Sequence, residues 1–153
     1  MGSARKFCRQ GLVAISFMLI PLVAAADERI NAKPGDVAVQ GYDVVAYFTV
    51  GEPTRGDEQY TYRWQDVRWL FSTQGHRDAF VAEPARYAPR YGGYCAGGVV
   101  LGNRAPIDPE AFVIIDDKLY LNYDTATARK FEATSDKSIA RADANWERIG
   151  FKE

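Results

Sequence analysis

Two stretches of the chain alternate large apolar with polar residues at the two-residue period of a strand. Tyr60, Tyr62 and Trp64 are separated by Thr61 and Arg63, and Val67, Trp69 and Phe71 by Arg68 and Leu70. With Gln65-Asp66 as the turn, Trp64 faces Val67, Tyr62 faces Trp69 and Tyr60 faces Phe71. The pattern predicts a hairpin with six large residues on one face and Arg63 and Arg68 on the other. Gln-Asp is not a favoured pair for a tight turn, so a longer loop stays open as an alternative. A second hairpin is predicted from Ala111 to Tyr123, turning at Asp116-Asp117, with Phe112, Ile114, Leu119 and Leu121 on one face.

Helical signals fill the gaps between and after the hairpins. Ser72 or Thr73 can cap a helix that turns Phe80 inward and stops before Pro84, which can itself begin a further turn through Tyr87. The end of the chain predicts two helical segments, Asp124 to Thr134 and Asp136 to about Ile149. In the second, Ile139, Ala142, Trp146 and Ile149 share a face that should dock on the sheet. Ile30 to Gln40 reads as extended and Gly51 to Asp57 as a loop. Gly41 to Phe48 is too short to decide between strand and helical turn. The glycine-rich run Tyr91 to Gly98 has no assignment. The fold class is α+β: antiparallel β-hairpins packed against a few short helices in a single compact domain.

The N-terminus changes what counts as the working molecule. Arg5, Lys6 and Arg9 precede the uncharged run Gly11 to Val23, and Ala24-Ala25-Ala26 follows it. A cationic start, a short apolar run and small residues at the cleavage point predict a secretory signal over residues 1–26, leaving a domain of residues 27–153. At 13 residues, broken by Pro21, the run falls short of the roughly 20 that span a bilayer. The expectation is export to the periplasm or beyond, with no stable membrane insertion after cleavage. The remaining domain has 16 basic and 20 acidic residues, a net charge of −4, which argues against nucleic acid. It keeps all nine tyrosines and all three tryptophans, one histidine, His76, one cysteine, Cys95, and no methionine. It cannot form an internal disulfide, and a homodimer joined through Cys95 remains open.

Several stretches in order carry a family resemblance. They are Gly41-Tyr42-Asp43-Val44-Val45-Ala46-Tyr47-Phe48, then Phe71-Ser72-Thr73-Gln74-Gly75-His76-Arg77-Asp78-Ala79-Phe80 with Pro84 and Tyr87, and Tyr91-Gly92-Gly93-Tyr94-Cys95-Ala96. Ile107-Asp108-Pro109 and Leu119-Tyr120-Leu121-Asn122-Tyr123 fit as well. Across nearly all of residues 27–153 the chain resembles the exported bacterial YHS-domain-containing proteins. The resemblance implies a binding or accessory protein without a settled activity. Compact YHS modules carry Phe-Cys-Ser-x-x-Cys-x-x-x-Phe, whose cysteines suggest metal binding. Here Ser72 stands at the first cysteine and His76 at the second.

The chemistry on offer is sparse. A copper or zinc site wants about three or four thiolate, imidazole or thioether ligands, and only His76 and Cys95 qualify. The candidate metal ligands are therefore His76 and Cys95, completed by carboxylates, tyrosines or a second subunit. The candidate ligand-binding residues are Tyr42, Asp43, Tyr91 and Tyr94, with the two last flanking glycines that let a ligand approach the backbone. Three of them have a plainer role: Asp43 as a cap or turn former, Tyr91 and Tyr94 as core. A thiol-dependent enzyme would use Cys95 with His76 as base and Asp43 or Asp108 as orienter. A structural or interaction protein is the third alternative. Any site is expected between the helix carrying His76 and the segment carrying Cys95, with a small ligand or a protein as partner.

Overall fold

The computed structural model describes residues 29–33 and 37–150, so the predicted signal over residues 1–26 lies outside them. The extended leading segment forms two short strands, β1 (Ala32–Lys33) and β2 (Val37–Ala38), paired antiparallel. After a 3-10 turn over Val39–Gly41 and a bridge from Tyr42 to Arg55, the end of the run left open by its length proves helical, as α1 (Ala46–Thr49).

The aromatic hairpin follows as β3 (Asp57–Trp64) and β4 (Val67–Phe71), with Trp64 opposite Val67 and Tyr62 opposite Trp69. Gln65 and Asp66 take φ of 50° and 60°, so the turn is the tight two-residue one, not a longer loop. The third predicted pair is corrected. A register shift between Asp57 and Thr61 sets Asp57, not Tyr60, opposite Phe71. The cause is local: Asp57 Oδ1 accepts the amide of Gln59 at 2.8 Å, and this competes with the ladder.

The second hairpin repeats the device. β5 (Asp108–Ile115) and β6 (Lys118–Asn122) turn at Asp116-Asp117, with φ of 50° and 55°. Their register shifts between Asp108 and Phe112, where Asp108 Oδ1 accepts the amide of Glu110 at 3.0 Å. Phe112 faces Leu121 and Ile114 faces Leu119, although Ile114, next to the turn, stays exposed. Among the described residues the strands form two sheets: one in the order β1-β2-β4-β3, with β2 parallel to β4, and one of β5 and β6.

Five further helices follow among the described residues. α2 (Gln74–Ala82) is capped by Thr73, whose hydroxyl accepts the amide of His76 at 3.1 Å, and α3 (Pro84–Tyr87) begins on its proline. The unassigned glycine-rich run becomes a 3-10 turn over Arg90–Gly93 and then α4 (Ala96–Val100). α5 (Thr125–Ala133) starts at the Asp124 cap, and α6 (Ser135–Ile149) follows directly. Among the described residues no helix is long and apolar enough to cross a membrane.

Two apolar clusters hold these elements. The first gathers Val44, Val45, Tyr47, Trp69, Phe71, Leu119 and Leu121 around Phe80. The Phe80 ring lies 5.1 Å from both Trp69 and Phe71 and 5.7 Å from Trp64, so α2 is pinned on the aromatic face of the first hairpin. The second joins Tyr91, Ala96, Val99, Tyr120, Phe131, Ala142 and Ile149. Leu119 and Leu121 point to the first cluster and Tyr120 to the second, so β6 is buried on both faces. The expected docking of α6 on the sheet is corrected: its apolar face packs chiefly on α4.

Candidate functional site

Asp43 is completely buried, yet its carboxylate is fully engaged. Oδ1 accepts the amides of Val45 at 2.9 Å and Ala46 at 3.2 Å, which winds the chain into α1. Oδ2 accepts the Ser72 amide at 2.8 Å and the Ser72 hydroxyl at 2.6 Å, and lies 2.6 Å from His76 Nδ1. One side chain thus joins the start of α1, the end of β4 and the first turn of α2. Of the cap or turn role expected of Asp43, the turn is present, together with a long-range role that no local pattern announces.

His76 is the outward arm of this network, with its side chain 19% exposed. With Nδ1 held by Asp43, Nε2 faces the Thr49 hydroxyl at 3.1 Å. The same hydroxyl donates to the carbonyl of Val45, the residue before α1, at 3.1 Å. Carboxylate, imidazole and hydroxyl therefore stand in a line, as in a nucleophile relay. A hydrolytic relay also needs free donors for the developing oxyanion. The amides nearest Thr49 are committed to helix carbonyls: Thr49 N to Val45 O, Val50 N and Gly51 N to Ala46 O. What the arrangement does is hold one imidazole in a fixed orientation at the surface.

The other expected site residues lie elsewhere. Tyr42 is half-buried beneath the Arg55 guanidinium, 4.5 Å from its ring centre. Tyr91 is core: its hydroxyl donates to Asp143 at 2.9 Å and its ring packs on Tyr120 and Trp146. Burial, then that bond to a carboxylate, raises its phenol well above the usual range. Tyr94 packs on Trp146 and lies under Arg104. Neither tyrosine lines the cleft described below.

Cys95 is buried at the start of α4, where its sulfur accepts the amides of Gly98 at 3.3 Å and Tyr123 at 3.2 Å. It does not join His76, whose partners are Asp43, Ser72, Thr49 and Thr73; the expected shared site between them is corrected. Their elements pack in different places: α2 lies on the first hairpin, and α4 lies among β6, α5 and α6. Among the described residues no group of three or more His, Cys, Asp and Glu side chains gathers where it could hold a metal ion.

Cys95 instead lines a cleft of about 450 Å³ between α4 and α5. Val100, Leu101, Ala105, Ala126 and Phe131 give it apolar walls, and Tyr123, Thr127, Lys130, Thr134 and Ser138 add polar groups. Gly97 lets α5 come close: a Cβ there would collide with the Thr127 methyl. Beside the cleft, Asn122 Oδ1 accepts the Gly97 amide at 3.2 Å, while Nδ2, buried, has no partner among the described residues. Sequence reasoning named Ser72 only as a possible cap and as the counterpart of a cysteine, and it missed Thr49 beside His76 and Asn122, Thr127 and Lys130 around the cleft. Compared with protein-family models, curated proteins and solved structures, the chain matches none.

Proposed function

We propose that this chain is a binding protein of the exported YHS type that takes a small, largely apolar ligand in the cleft between α4 and α5. The cleft carries the reading. Its volume of about 450 Å³ falls in the roughly 300–1,000 Å³ of small-molecule sites, and apolar walls with a few polar groups are their usual composition. The signal-like N-terminus and the order of family-like stretches favour a place outside the cytoplasm. The Asp43–His76 network serves this reading as a clamp on the fold. A thiol-dependent enzyme would need a base within reach of Cys95, and the one imidazole of the domain is tied to Asp43. With Cys95 only 2% exposed, a dimer joined through it would first have to open the cleft.

Titration with phenylnaphthylamine, a neutral fluorophore that brightens in apolar sites, tests the proposal. Saturable binding at one site, lost when Ala126→Trp fills the cleft, is expected. No saturable binding, or binding indifferent to Ala126→Trp, would overturn it.

A further inference from the structure

We infer that the ligand of this cleft is an amphiphile with a compact apolar body and one anionic group, and that Lys130 receives the anion. This rests on the cleft being the binding site. Among the described residues, two charged side chains line it, Asp124 and Lys130, at opposite ends of α5. The Asp124 carboxylate already caps the helix, accepting the Thr127 amide at 2.7 Å. The Lys130 ammonium has neither an ion pair nor a hydrogen-bond acceptor among the described residues.

Polar groups cluster at the Lys130 end. The hydroxyls of Thr134 and Ser138 lie 2.8 Å apart, and Thr134 Oγ1 also reaches the Lys130 carbonyl at 2.9 Å. At the other end Asp124 repels an anion, which fixes the polarity of the bound molecule. From Asp124 to Lys130 the helix rises about 9 Å, the length of a two-ring aromatic or a short aliphatic body. A cation in the last turn of a helix also complements its terminal carbonyls. The test therefore varies the charge of the probe as well as the lysine.

Naphthoate, naphthylmethanol and naphthylmethylammonium share one apolar body and differ in charge. Each is titrated as a competitor of phenylnaphthylamine against the protein and its Lys130→Gln variant, whose thermal melt checks that the exposed substitution leaves the fold intact. Naphthoate is expected to compete best and to lose about fivefold in affinity in Lys130→Gln, with the alcohol unchanged. Added salt should weaken naphthoate alone. Equal competition by all three probes, or naphthoate indifferent to Lys130→Gln, would overturn the anionic ligand while leaving an apolar site in place. Failure of phenylnaphthylamine itself to bind would remove the site, and this inference with it.

Discussion

Asp43 Oδ2 and His76 Nδ1 lie 2.6 Å apart although 33 residues separate them in the chain. The contact closes the loop that contains the whole first hairpin, and it does so through a carboxylate with no exposure to solvent. A buried charge is tolerated only where every lone pair is matched, and the amides and hydroxyl around Asp43 meet that condition.

Replacing Asp43 should therefore cost far more than replacing its partner. Asp43→Asn sets an amide NH₂ against groups that are themselves donors, and a loss of about 3–5 kcal/mol is expected. His76→Gln leaves the other donors in place and should cost about 1–2 kcal/mol. Urea melts of the two variants measure both. Equal, small losses would mean that the network does not hold the fold.

The sulfur of Cys95 is the acceptor for two backbone amides. Cys95→Ala strands both and should lose about 1–3 kcal/mol, whereas Cys95→Ser keeps an acceptor and should lose less. In the folded protein, alkylation by iodoacetamide should be far slower than in urea. Fast alkylation of the native state would show an open thiol and return the enzymatic reading to contention.

Two glycines with similar backbone angles should respond differently to alanine. Gly51 has φ of 79° with open space around it, so Gly51→Ala should cost about 1 kcal/mol for the backbone alone. Gly92 has φ of 61°, and a Cβ there would run into the carbonyl of Arg29. Asn31 N also donates to Gly92 O at 2.8 Å, so that clash would peel the leading segment from the domain. The loss for Gly92→Ala should exceed that for Gly51→Ala by about 2 kcal/mol. Comparable melting temperatures would contradict the tight seating of Arg29.

Tyr47 supplies a pH dependence with a definite sign. Burial, then the nearby Tyr42, Glu110, Asp108 and Asp43, pushes its phenol well above the ordinary value, and its hydroxyl donates to the Pro109 carbonyl at 3.0 Å. The unfolded chain therefore ionises first as pH rises. The contribution is complete below the unfolded tyrosine pKa of about 10 and drains away above it. Tyr91 acts in the same direction. Stability measured by urea should fall steeply above about pH 10, and Tyr47→Phe should flatten that fall while costing about 1 kcal/mol at neutral pH. An unchanged alkaline slope in Tyr47→Phe would assign the effect elsewhere.

The parts of the molecule that were readable are those where a period meets a boundary. Alternation placed Tyr62 against Trp69 and Trp64 against Val67, and Thr73 and Pro84 bounded α2, because each signal depends on neighbours in the chain. Tyr60 was misplaced because a bulge depends on whether Asp57 turns its side chain onto its own backbone. α4 was invisible because Gly97 and Gly98 are poor helix formers, and tertiary packing overrides that preference. The site divides the same way. Asp43 and His76 could be named as candidates but not joined, and Lys130 looked like any cation on a helix. The cleft arises from the spacing of α4 and α5, which Gly97 sets and no periodicity records.

The burial of β6 on both faces reaches beyond packing. Leu119, Tyr120 and Leu121 belong by turns to the two apolar clusters, so neither half of the domain can loosen without baring one side of the same strand. The two clusters are thereby one cooperative unit. Amide protons along this strand should be the last to exchange with solvent, released only when the whole molecule opens.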